Sequence, residues 1–148
     1  MVTKIAAVFI MGTAVGVMYR IPRRLLPYGG LNAALAWLVA GLLAGAGVNA
    51  VAANFFGSVA LGTAAEGLAR WLRTPATIFV IPGFFPLVPG REAYTTMRYL
   101  VEGQYEQAVA MGMQTLLTAG AIAFGIFVSI TLYRFARTYP FLRGTGRC

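Results

Sequence analysis

Apolar residues along this chain fall into five blocks, and the residues between the blocks are mostly arginine, glycine and proline. The first block covers residues 5–19, with Val2 and Thr3 able to extend it to a marginal span, and Arg20-Ile21-Pro22-Arg23-Arg24 closes it. Tyr28-Gly29-Gly30 predicts a turn, and residues 31–48 then form a second block that contains no charge. Asn49 interrupts, residues 50–68 make the third block, and Arg70, Trp71 and Arg73 end it. After Thr74-Pro75 a fourth block runs over 76–88 and passes into a more polar stretch at 91–107. The fifth block, 108–133, is long enough to span a bilayer with some tilt at about 1.5 Å per residue. Tyr139-Pro140 and a basic tail follow. Such blocks predict an all-α integral membrane protein of about five transmembrane helices, folded as one helical domain over residues 1–148.

The fourth block contains its own interruption, Pro82-Gly83-Phe84-Phe85-Pro86-Leu87-Val88-Pro89-Gly90. Proline lacks a backbone donor and crowds the preceding turn, and glycine is loose, so this segment predicts a broken helix. Inside a bilayer, irregular backbone persists only where protein buries it or a watery cavity meets it, which marks the break as a candidate site. Its depth has two solutions. A span limited to 76–90 puts the break at the outer rim, as a simple bend. A span from 76 to about 101 puts it near the midplane and requires Arg91 and Glu92 to face protein or water. The roughly 20 residues that a span needs favour the second.

Composition supports the membrane assignment: 59% of residues are hydrophobic and 11% are charged, against roughly 25% charged in soluble domains. The net charge of +8 would raise nucleic-acid binding in a soluble protein. Here the basic residues sit at block ends rather than in a patch, so no nucleic-acid partner is expected. Arg20, Arg23 and Arg24 follow the first block, Arg70 and Arg73 the third, and Arg134, Arg137, Arg143 and Arg147 the fifth. With all three clusters cytoplasmic, the N-terminus lies outside, the C-terminus is cytoplasmic, and the fourth element must cross completely. Lys4, Arg91, Arg98, Glu92, Glu102 and Glu106 then occupy the outer side. No cleavable signal peptide is expected, because the first block ends in arginines. The lone cysteine, Cys148, is terminal and can form no disulfide within the chain.

Candidate chemistry is limited by inventory. The chain has no histidine and no aspartate, and of its two serines, Ser58 and Ser129, neither has a lysine near it in sequence. Catalytic triads, zinc sites and Walker-type phosphate loops cannot be assembled, so neither an enzyme nor a cofactor or metal is expected. Polar groups within apolar blocks remain. Glu66 is the only carboxylate in a strongly hydrophobic run and so the candidate for proton coupling, although its i,i+4 spacing to Arg70 also suits a plain ion pair near the helix end. Asn49 reads as a turn residue and Asn54 as a site-lining amide. Gln114, Thr115 and Thr118 share one helix face, suited to interhelical hydrogen bonds or to substrate contact.

A half-helix restarting near Gly90 would free the N–H groups of Arg91, Glu92 and Ala93 for a carboxylate, while carbonyls preceding Pro86 and Pro89 would suit an ammonium. A small zwitterionic amino acid fits that pair of ends, with Tyr94 and Met97 flanking the cavity. Small-residue pairs (Gly12/Gly16, Gly41/Gly45, Ala53/Gly57, Ser58/Gly62) predict close helix packing, mainly within the chain, with a homo-oligomer as the other use.

Pro86-x-x-Pro89-Gly90-x-x-Ala93-Tyr94-x-x-Met97, set before a long final span, resembles the threonine/serine exporter family, in its small membrane-embedded subunit. The order of Arg20-Ile21-Pro22-Arg23, the Gly57-to-Gly62 span and Trp71-Leu72-Arg73-Thr74-Pro75 agrees with it across essentially the whole chain. One departure is a second block more apolar than the resemblance leads one to expect. The resemblance implies export of threonine and serine across the cytoplasmic (inner) membrane, jointly with a larger partner subunit and driven by the proton gradient. It assigns no binding residues. A non-transporting assembly subunit would carry the same small-residue faces and is the alternative role.

Overall fold

The computed structural model describes residues 2–138, with side chains described for residues 3–135. Tyr139-Pro140, Arg143, Arg147 and Cys148, with the Arg137 side chain, lie outside that description. The described residues form six α-helices: α1 (Val2–Met18), α2 (Leu26–Gly45), α3 (Ala50–Trp71), α4 (Thr77–Phe84), α5 (Gly90–Val101) and α6 (Tyr105–Thr138). A single 3₁₀ turn, Phe85–Leu87, follows α4 directly.

Helix ends obey local chemistry. Four helices close with the same hydrogen-bonded cap, in which a residue with positive φ folds two N–H groups back onto the last turn. In α2 that residue is Gly47 (φ 86°): its N–H donates to Ala44 O, and the Val48 N–H donates to Leu43 O. Gly103 (φ 76°) closes α5 in the same way. At the ends of α1 and α3 the position is held by arginine, Arg20 (φ 55°) and Arg73 (φ 53°), a conformation that disfavours a residue bearing Cβ. Asn49 sits at the N-cap of α3, where its Oδ1 accepts from the Val51 N–H at 3.2 Å.

The predicted turn at Tyr28-Gly29-Gly30 is instead helix. α2 starts at Leu26 with Pro27 in its first turn, where a missing N–H costs nothing. The two glycines are there for proximity. A β-carbon on Gly29 would lie 2.9 Å from Pro82 Cγ, and one on Gly30 would lie 2.7 Å from Thr13 Cγ2.

Two of the described helices are long and apolar enough to cross a membrane, over Leu26–Gly45 and Tyr105–Phe135; α1 and the α4 region are apolar but shorter. α3 packs between α2 and α6 and also touches α4, α1 rests on α2 and α4, and α5 packs chiefly against α6. Small residues set the closest approaches. A β-carbon on Gly12 would lie 2.7 Å from Ala33 Cβ, and one on Gly57 would lie 3.0 Å from Ala36 O. Between α3 and α6 the fit is reciprocal, Gly62 receiving Ser129 and Gly125 receiving Ser58. Gly41 and Gly45 differ from the other pairs, having open space around them.

One apolar cluster joins Ala36, Ala40, Leu61, Leu87 and Ile122, with Phe84 and Ile126 against it. A second, at the opposite end of α3 and α4, joins Ala65, Ala69 and Phe79. Between the two clusters Asn32 ties three helices together: its Nδ2 donates to Phe79 O at 3.1 Å and to Leu61 O at 3.4 Å.

Candidate functional site

A hollow of about 340 Å³ opens where the last turns of α2, the first turns of α3, the Pro86–Pro89 region and the middle of α6 converge. The size is at the lower end of ligand pockets, as suits a small molecule. Ala40, Gly41, Ala44, Ala50 and Ala53 leave the space, because none of them projects a long side chain into it. Polar groups enter from three directions: Asn54 from α3, Gln114 and Thr118 from α6, and Arg91 and Glu92 from the first turn of α5. Asn54 Nδ2 donates to Ala50 O at 3.0 Å within its own helix, and the Thr118 hydroxyl donates to Gln114 O at 2.9 Å. Each side chain keeps an oxygen able to accept from a ligand.

The backbone near the hollow is shaped by its prolines. Val88 leaves helical space (ψ 127°), as a residue before proline prefers, and Pro89 caps α5 without a side-chain hydrogen bond. The Gly90 N–H folds back onto Val88 O at 2.8 Å, and the Ala93 N–H donates to Pro89 O at 3.0 Å. Two N–H groups, those of Arg91 and Glu92, therefore lack a protein acceptor among the described residues, one fewer than the sequence predicts. The predicted ammonium acceptors are also partly used. Phe85 O, before Pro86, accepts from the Val88 N–H at 3.2 Å, and Val88 O accepts from Gly90. The 3₁₀ bond at Phe85 O and the inverse γ-turn bond at Val88 O each consume one lone pair.

Of the residues singled out from sequence, Pro86, Pro89, Asn54, Gln114 and Thr118 line this one hollow. Tyr94 and Met97 do not. They are 72% and 65% exposed and flank a separate shallow hollow with Arg98, Val101 and Glu102. Helical rotation is the reason: Thr96 meets Gly112 of α6, so the face carrying residues 94, 97 and 101 turns outward. Gly90 starts α5 in open space and is not part of the lining. Glu66 lies at the other end of α3, 8% exposed, with its Oε2 3.5 Å from Arg70 Nη2.

The segment's depth is also placed relative to its neighbours. It runs along α2, with Pro82 beside Gly29 and Gly83 beside Asn32 in the first turns, and Pro86–Pro89 beside the hollow bounded by Ala40, Gly41 and Ala44 in the last two.

Two residues passed over in the sequence gain weight. Trp37 lines the hollow, and Asn32, 2% exposed, carries a buried Oδ1 with no partner among the described residues. Asn32 gave a signal, as the first of only two amides in or beside a charge-free run of eighteen residues (31–48). Ser58 and Ser129 are fully buried, and their hydroxyls donate to Phe55 O and Ile126 O within their own helices, which is a packing role.

No solved structure matches the chain. A family described as "Threonine/Serine exporter, ThrE" matches residues 4–132, which include every helix that builds the hollow. This chain, a membrane protein of transporter type, therefore belongs to the threonine/serine exporter family.

Proposed function

We propose that this chain is a subunit of a proton-coupled exporter of small neutral amino acids, threonine and serine foremost, and not an enzyme. It works in the cytoplasmic membrane with a larger partner subunit or as an oligomer. One observation carries the assignment of the route: Asn54, Gln114 and Thr118 converge with the two acceptor-free N–H groups of α5 on one small hollow. A carboxylate suits the N–H end and its helix dipole, while an ammonium and a side-chain hydroxyl suit the amide and threonine oxygens.

In this proposal α1, α2, α3 and α6 each cross the bilayer, and α4 with the Phe85–Leu87 turn makes a fifth, broken crossing that leads into α5 at the outer surface. Arg20, Arg23, Arg24, Arg70, Arg73 and Arg134 belong to the end where α1, α3 and α6 finish, which supports a cytoplasmic assignment for that end and an outside N-terminus. Tyr28 and Trp71, edge to face at 5.9 Å, and Tyr133 under Arg70 gather there too, as aromatic residues do at a membrane surface. Glu66 is the proton carrier in this scheme, paired with Arg70 of its own helix, which stacks on Tyr133 of α6, and sharing its hollow with Arg134.

Threonine export by cells carrying this chain and its larger partner tests the proposal. Asn54→Leu and Thr118→Val each remove about 1–2 kcal/mol of polar contact and should slow export roughly five- to thirty-fold. Their membrane abundance should not change. If export is untouched and only the partner's abundance falls in these variants, the chain is an assembly subunit. Glu66→Gln should flatten the pH dependence of export; an unaltered profile removes Glu66 as the carrier.

A further inference from the structure

A second hollow, of about 400 Å³, lies between α3, α4 and α6 at the end opposite the first, lined by Glu66, Arg70, Thr74, Thr77, Val80 and Ile130 among others. We infer that it is a second amino-acid station on the same route, taking the carboxylate on Arg70 and the ammonium on Glu66; this rests on the exporter role proposed above.

Position is the first argument. Both hollows are bounded by α3 and α6: Asn54 and Thr118 belong to one, and Glu66 and Ile130 belong to the other. Each step is twelve residues along its helix, about 18 Å. Between them stand the apolar side chains of Leu61, Phe84, Ile122 and Ile126, with the Asn32 amide bonded to Leu61 O beside them. Two polar vestibules separated by these side chains, on shared helices, are the two ends of a single path closed in its middle.

Unsatisfied chemistry is the second argument. Arg70 Nη1 and Thr74 Oγ1 are buried and have no hydrogen-bond partner among the described residues. Burial of a guanidinium nitrogen without an acceptor is costly, so the site is built for an acceptor that comes and goes. A carboxylate supplies two oxygens, one for Arg70 Nη1 and one for the Thr74 hydroxyl. The guanidinium is held from its other side by Glu66, 3.5 Å away, and by the Tyr133 ring, whose centroid is 4.3 Å from Arg70 Cζ. Glu66, with its side chain 10% exposed, offers its carboxylate to the ammonium of the same molecule. The resident ion pair is thus the charge complement of a zwitterion, which can insert without leaving either group alone.

Thr77 borders this hollow and is exposed, so Thr77→Cys in a Cys148→Ser background reports its occupancy. The full chain with its partner, in inside-out vesicles, is treated with a membrane-impermeant maleimide. L-Threonine at ten times its Kd should slow labelling about tenfold by simple mass action. L-Threonine amide, which lacks the carboxylate, should not protect, and Arg70→Gln should abolish protection by L-threonine. Thr74→Val, a milder change, should weaken it. Labelling unaffected by L-threonine in vesicles that still transport it overturns the second station and leaves the exporter role standing. Equal protection by the amide also overturns it, because Arg70 is then not reading a carboxylate. Vesicles that neither transport nor show protection refute both proposals.

Discussion

Gly125 and Gly41 are the same residue type in the same kind of apolar helix, yet they do different work. A β-carbon on Gly125 would sit 2.7 Å from Phe55 O and collide with Ser58, whereas one on Gly41 would meet nothing within 4 Å. Gly125→Ala should therefore force α3 and α6 apart and destabilise the fold by about 1–3 kcal/mol. Gly41→Ala should be neutral or stabilise by about 0.5–1 kcal/mol, through helix propensity. Unfolding of the purified full chain in a denaturing detergent series measures both, and equal effects would show that the reciprocal packing is not what joins these helices. Asn32 makes a comparable case for a polar residue. Asn32→Ala loses hydrogen bonds to carbonyls of two neighbouring helices, and in a membrane each such bond contributes about 0.6–1.7 kcal/mol. The same assay should register a loss of that order.

At the scale of elements, several helix ends were open to prediction and helix faces were not. The arginine clusters, Asn49 and the prolines mark termini because capping and proline chemistry act within a few residues. Faces are another matter: α1, α2 and α6 are apolar nearly all round, so no periodicity says which side turns inward. Gly29 and Gly30 illustrate the difficulty. Two glycines beside tyrosine suit a turn, and only the presence of Pro82 and Thr13 across the contact explains a helix there. Arg20 and Arg73 show an element end determined against local preference. With φ near 55° at both, glycine would be the easier residue. Arg73→Gly should raise thermal stability in detergent by about 0.5–1 kcal/mol, and a decrease would mean that the arginine head group contributes more than its backbone strain costs.

For the whole molecule, the arrangement of polar ends sets direction. The hollow lined by Asn54 and Gln114 lies at the end holding the α2–α3 connection, and the Glu66–Arg70 hollow lies at the arginine-rich end. α6, at 34 residues, is about 51 Å long, well beyond the roughly 30 Å hydrocarbon core. Its first turns, paired with α5 alone, should therefore stand outside the bilayer. A cysteine placed at Gln104, in the turn between these helices, should react with an impermeant maleimide added to right-side-out vesicles of a Cys148→Ser background. Reaction only after permeabilisation would reverse the proposed orientation. The outward stripe of Tyr94, Met97 and Val101 on α5 is left for membrane surface or partner rather than for the hollow.

The sequence by itself determined the helical class, several of the helix ends, the family, and five of the residues that line one hollow. Those follow from composition, proline and capping chemistry, and motif order, all of which act locally along the chain. Only the tertiary structure decided which polar groups meet. It brought Asn54 and Thr118 together, turned Tyr94 and Met97 away, and set Arg70 and Thr74 beside a second hollow far from Pro89. The physical reason is that helices apolar on every side are oriented by the close approach of small residues across contacts remote in sequence, and that geometry exists only once the helices have packed.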